Sequence, residues 1–230
     1  MERLINLRST LVRSGHPAVY QLKTKKEELG GLTNVKIGEN DIKTNKTILL
    51  IGETGAGKST LINTLVNYVM GVKFEDNVWF QIVEEEEGGT SDVIVYEIFG
   101  FEDSPLPYAL TIIDSPGYGN TEGIKHDRRV SNKLFDVFQS KAGVDQIHSV
   151  ALVMKATDNR LSDRLMYVFN SVMSLFAKDL ERNIIALITH SDGRKPKNAL
   201  KALEEAKIKC DENRKNPPVY FLFNNCQHED

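Results

Sequence analysis

The run Ile48-Leu49-Leu50-Ile51-Gly52-Glu53-Thr54-Gly55-Ala56-Gly57-Lys58-Ser59-Thr60 constrains this chain more than any other stretch. Four large aliphatics predict a buried strand, the glycines a tight loop, and the apolar spacing of residues 61–70 a helix. Gly52, Gly57, Lys58 and Ser59 fit G-x-x-x-x-G-K-[ST], and the strand before and helix after are the context that pattern requires. A loop with small or absent side chains can turn its backbone N–H groups inward around a phosphate chain, over the positive end of the helix dipole. The loop residues Glu53, Thr54, Gly55, Ala56, Gly57, Lys58, Ser59 and Thr60 are therefore candidates for nucleotide binding. Lys58 would set a charge on the β- and γ-phosphates, and Ser59 would ligate Mg²⁺.

The 230 residues suffice to bury a core without disulfide or metal. A net charge of −3 with lysine and arginine spread along the chain gives no electrostatic case for nucleic acid. Cys210 and Cys226 show no metal-ligand spacing and read as free thiols of a reducing compartment. No run of about 18 apolar residues is present, and the charged N-terminus is not a secretory signal, so a cytoplasmic protein is expected.

Residues 1–45 read as an N-terminal arm, with Leu4, Leu7 and Leu11 hinting at a short amphipathic helix and residues 17–22 at an extended piece. A membrane or partner helix and an arm packed on the domain are the two readings; nothing in these residues indicates a membrane. Residues 46–51, 93–98, 109–114, 147–154, 183–189 and 219–223 read as strands. Helices are expected at 59–72, on a stripe of Leu61, Leu65, Tyr68 and Val69, at 161–176 and at 199–208. Residues 73–89, with the acidic run Glu84-Glu85-Glu86-Glu87, read as a long mobile loop with a solvated charge cluster. Alternation of strand and helix predicts an α/β fold of three layers: a mainly parallel six-stranded sheet with helices on both faces, the P-loop NTPase arrangement. Ligands of such sheets sit at the carboxyl ends of the strands, where each motif falls. The chain stops seven residues past the last strand, so residues 46–230 are expected to be a G domain at the front of a longer protein.

Asp114 opens Asp114-Ser115-Pro116-Gly117, a D-x-x-G at a strand end. Asp114 can hold Mg²⁺ through water, and Gly117 can bring its N–H to a γ-phosphate. Thr90 or its rival Ser91 is placed to complete the metal shell in the triphosphate state; the spacing does not choose between them. Asp192, in Thr189-His190-Ser191-Asp192, can accept from the N1–H and 2-amino group of guanine, which adenine cannot match. Asn224 and Asn225 can supply a second loop against the base. The catalytic candidates are Lys58, Thr90 and Gly117. Ras-type hydrolases orient water with a glutamine after D-x-x-G, and Tyr118 stands there, which predicts slow hydrolysis.

Residues 52–59, 114–117, 189–192 and 224–225 resemble the G1, G3, G4 and G5 boxes of translation-factor-related GTPases. Residues 114–121 and 221–225 are most similar to the septin, immunity-associated (AIG1-type) and chloroplast-import-receptor GTPases, and the chain resembles septin-like proteins of fish. The likeness covers roughly residues 45–226. It implies GTP and GDP with Mg²⁺ as ligands, slow hydrolysis, and a homodimer or oligomer formed through the nucleotide face, with Arg160 a candidate for reaching a partner's nucleotide. The lysine of the usual N/T-K-x-D is replaced by His190, which would have to cover the base instead. Three functions follow for comparison: a switch or assembly GTPase, a scaffold that binds GTP without appreciable turnover, and a P-loop ATPase.

Overall fold

Strand β5 (Asn45–Gly52) lies inside an eight-stranded sheet of order β11-β10-β9-β5-β8-β7-β4-β3. The structure, a computed structural model, describes residues 8–29, 32–38, 44–84, 92–101, 104–116, 130, 132–137, 146–174, 183–208 and 219–224. β5 runs parallel to β8 (Ala109–Asp114) on one side and β9 (Ser149–Lys155) on the other; β10 (Ile184–Thr189) and β11 (Tyr220–Leu222) continue in parallel beyond β9. Every residue of β8 is buried, as is Val150 to Met154 in β9. That is why the central strands are continuous apolar runs: both faces are covered.

Alternation along β5 divides the core into two halves. Leu49 and Ile51 join the cluster that includes Leu165, Val168 and Phe169 of α2 (Asp163–Ser174) and Ala199, Ala202 and Leu203 of α3 (Lys197–Glu205). Leu50 faces the other cluster, with Leu61, Ile62 and Val66 of α1 (Lys58–Val69). The expected three-layer α/β arrangement is the one observed.

The sheet has eight strands rather than the six expected, because the N-terminal segment contributes two. β4 (Leu32–Ile37) pairs in parallel with β7 (Ile94–Ile98), and β3 (Lys25–Leu29) closes the edge as the antiparallel partner of β4. β7 is antiparallel to β8. The two strands are consecutive in this sheet, and an antiparallel pair needs no crossover helix.

Residues 9–13, where Leu11 was expected on a helix, form β1 (Ser9–Arg13), which pairs with β2 (Ala18–Leu22). Leu4 and Leu7 lie outside the described residues. Within the expected loop at 73–89 the described residues 73–84 are ordered: a 3₁₀ turn (Phe74–Asp76) leads into β6 (Val78–Gln81), parallel to β2, while Glu85, Glu86 and Glu87 of the acidic run lie outside the described residues. The second sheet so formed covers α1, and Leu22 and Phe80 enter its core. The helix stripe shifts accordingly. Leu61, Ile62, Val66 and Val69 are buried together with Asn63 and Asn67, whereas Tyr68 is exposed. An α1 packed between the large sheet and β6 buries a wider face than a single stripe.

Candidate functional site

At the carboxyl end of β5 the chain turns sharply. Ala56 N–H donates to the Glu53 carbonyl at 3.1 Å, and Gly55 and Gly57 take left-handed φ values of 76° and 93°. Gly57 caps α1 without a side-chain hydrogen bond, and the first turn of α1 carries no acidic residue, so its positive dipole end is uncompensated by side chains. Gly52 is required by packing, because a Cβ there would meet the Val153 carbonyl oxygen at 2.5 Å. Thr54, Gly55, Ser59 and Thr60 are exposed, Glu53 and Gly57 half-buried, and Ala56 buried.

Lys58 is only 7% exposed. Its ammonium donates to the carbonyls of Gly52 at 2.9 Å and Glu53 at 3.4 Å. Burial pushes its pKa below the ordinary lysine value, opposed by the charges of Asp114 and then Glu53. The site thus holds a dehydrated cation under a loop of small residues. Asp114, at the end of β8, is fully buried and pairs in register with Leu50 on one side and Ile94 on the other. The next residue secures the turn: Ser115 Oγ donates to the Leu50 carbonyl at 2.8 Å.

The third segment is Thr189-His190-Ser191-Asp192, after β10. Thr189 Oγ1 donates to the Ala56 carbonyl at 2.6 Å, with the Met154 carbonyl a second acceptor at 3.2 Å. One hydroxyl therefore ties this segment, the loop before α1 and the end of β9 together. His190 has a φ of 52°, is exposed, and holds its Nδ1 3.0 Å from Thr189 Oγ1. Asp192 is exposed, and its Oδ1 accepts from Arg194 N–H at 2.9 Å. Ser191 N–H donates to the Phe223 carbonyl at 3.1 Å, which brings the exposed Asn224 beside the same segment.

The structure thus gathers Lys58, Ser59, Asp114, His190, Asp192 and Asn224 at one end of the sheet. Thr90, Ser91, Gly117, Tyr118, Asn225, Cys210 and Cys226 lie outside the described residues. Arg160 is exposed beyond β9. Among the described residues no group of three or more His, Cys, Asp or Glu converges as a metal site. Thr189 and Ser115 were not singled out from sequence as functional. Their acceptors lie 133 and 65 residues away, and no local pattern announces such bonds.

Several known proteins are similar to this chain. The chain is 28% identical over 191 residues to GTP-binding protein A of Dictyostelium discoideum, covering 82% of this chain and 38% of that protein. It is 31% identical over 157 residues to cell division control protein 3 of Candida albicans, covering 63% and 36%. It is 26% identical over 156 residues to immune-associated nucleotide-binding protein 13 of Arabidopsis thaliana, covering 67% and 40%. The chain therefore spans about two fifths of the length of each of these relatives. Among solved structures, Toc33 from Arabidopsis thaliana with Mg²⁺ and GMPPNP superimposes at a TM-score of 0.54 with 16% identity, over 80% of this chain and 72% of that one, a likeness of fold. The sequence profile of the 50S ribosome-binding GTPases matches residues 47–224, from β5 through the phosphate loop to Asn224, and the chain belongs to that family of P-loop GTPases.

Proposed function

We propose that the chain binds GTP and GDP with Mg²⁺ at the β5–α1 loop, hydrolyses GTP slowly, and works as a switch or assembly GTPase that pairs through its nucleotide face. The observation that carries this reading is the buried Lys58 ammonium, held by main-chain carbonyls and facing the charge of Asp114 at the head of an uncapped helix. A polyphosphate over the loop would compensate a cation that burial alone disfavours, and could accept from the free N–H groups of the first turn. In this reading Lys58 holds the β- and γ-phosphates. Ser59, Asp114 and Thr90 surround the metal, and Gly117 meets the γ-phosphate. Asp192, His190, Asn224 and Asn225 read and cover the base.

Septin and AIG1-type kinship is part of the proposal. It draws on the cell-division and immune-associated relatives and on Toc33, whose dimerization is important for its GTPase activity. Arg160, exposed beyond β9, is the residue proposed to reach a partner's nucleotide. A second reading, a nucleotide-gated scaffold with negligible turnover, is favoured by Tyr118 in place of a water-orienting amide.

Two measurements test these readings. Titration with fluorescent GDP and GTP, for the parent and Lys58→Ala, should show binding weakened at least about tenfold by loss of a charge-assisted contact. Equal affinity would discard the site. Single-turnover hydrolysis that accelerates with protein concentration supports the assembly GTPase; none at any concentration leaves the scaffold.

A further inference from the structure

A second lysine reaches the same loop from a different strand. Lys155 ends β9, where it stands in register with Thr189 of β10. Its backbone is locked at that point: Lys155 N–H donates to Asp158 Oδ2 at 2.8 Å, and Asp158 N–H donates back to the Lys155 carbonyl at 3.0 Å. From this fixed root the half-buried side chain extends over the loop, and its Nζ lies 3.9 Å from the position a Cβ on Gly55 would occupy. Among the described residues the Lys155 ammonium has no hydrogen-bond or ionic partner. Lys58 lies beneath the loop on the Asp114 side; Lys155 lies at its rim on the β10 side.

We propose that Lys155 is a second nucleotide-contacting cation, closing over the nucleoside half of the ligand between the phosphate loop and the Thr189-to-Asp192 segment. The inference rests on the nucleotide reading above. The base-side segment has no lysine at its second position, where His190 instead turns its ring back to Thr189 Oγ1. That leaves the sugar and one purine face without a cationic cover from their own loop. A lysine stem is apolar enough to lie along a purine face while its ammonium donates to a sugar or main-chain oxygen. Gly55 is exposed and left-handed, and even a Cβ there would only touch the ammonium at 3.9 Å, so the lysine tip lies directly against the loop. The terminal phosphate belongs to the other end of the loop, over Lys58 and the start of α1. Lys155 therefore acts on what GDP and GTP share, and not on what distinguishes them.

The test is Lys155→Met, which keeps an unbranched apolar stem and removes the ammonium. Affinities for fluorescent GDP and GTP are measured in parallel with the melting temperature without nucleotide. The expected result is about tenfold weaker binding of both nucleotides by the same factor, with an unchanged nucleotide-free melting temperature. Parental affinity in Lys155→Met overturns this proposal and leaves the nucleotide reading intact. A loss confined to GTP overturns it too, since the lysine would then serve the terminal phosphate. A matching fall in nucleotide-free melting temperature would make the role structural and likewise overturn it. If the parent binds neither nucleotide, both this proposal and the reading beneath it fall together.

Discussion

The Asn67 side chain on α1 exchanges two hydrogen bonds with the backbone of Phe80 on β6: Nδ2 donates to the Phe80 carbonyl at 2.7 Å, and Phe80 N–H donates to Oδ1 at 2.9 Å. An amide presents the same donor and acceptor as a peptide unit, so a helix here stands in for a neighbouring strand. One turn earlier, Asn63 Oδ1 accepts from Ile82 N–H at 2.9 Å and Val83 N–H at 3.2 Å. The helix that opens at the phosphate loop is thereby fastened to the segment that leads toward Thr90.

Replacing Asn67 by Leu would leave a buried N–H and a buried carbonyl at Phe80 without partners. Each such orphan costs about 1–3 kcal/mol, and the expected loss of unfolding free energy is about 2–4 kcal/mol. Urea denaturation of parent and variant measures it. A change under about 0.5 kcal/mol would show that the amide does not hold β6.

Asn67 also marks where sequence reading stops. The phosphate loop, Asp114 at a strand end and the buried central strands were legible, because each follows from a local run: four aliphatics before glycine, or an apolar stretch closed by a polar turn. β3 was not, since Lys25-Lys26-Glu27-Glu28-Leu29 has no apolar alternation. That edge strand is held by its backbone and by ions, with Glu27 pairing Lys36 at 2.9 Å across the hairpin and keeping that ammonium above its ordinary pKa. β6 was hidden for a related reason, its partners being helix amides and an arm strand distant in sequence. Of the site, the charged residues were visible and the hydroxyls that fix them were not.

Thr189 provides the sharper test of that last point. Its hydroxyl bonds Ala56 while its methyl lies 3.3 Å from where a Cβ on Gly57 would fall. Thr189→Val keeps the shape and removes the donor, orphaning a buried carbonyl at a cost of about 1–3 kcal/mol. The loop should lose its anchor to β10, so nucleotide affinity should fall along with stability. Thr189→Ser, which retains the hydroxyl, should recover most of both. Calorimetric titration with GDP and thermal melts separate these outcomes, and failure of Ser to outperform Val would discount the hydroxyl.

Asp192 offers a substitution with little structural cost. Its Oδ1 accepts from Arg194 N–H, a role an amide oxygen also fills, so Asp192→Asn should leave the turn intact. What changes is the carboxylate available to a guanine edge. Competition of GTP against ATP should lose at least about tenfold of its guanine preference, while contacts made by Lys58 persist. Undiminished preference would exclude Asp192 as the base reader.

Acid should weaken the fold at a point far from the loop. His148, just before β9, accepts from Thr47 N–H at its Nδ1, 3.0 Å away, which only a ring without a proton on that nitrogen can do. Burial lowers its pKa below the ordinary 6.5, and the charge of Lys46 adds to the effect. A histidine depressed on folding takes up its proton in the unfolded chain first. Its contribution is therefore complete above about pH 6.5 and drains away as the pH falls through the folded value. Unfolding free energy measured by urea titration should decline from pH 7 toward pH 5, and His148→Gln, which can still accept from Thr47 but does not titrate there, should flatten part of that slope. An identical slope in the variant would assign the acid sensitivity to carboxylates and not to this ring.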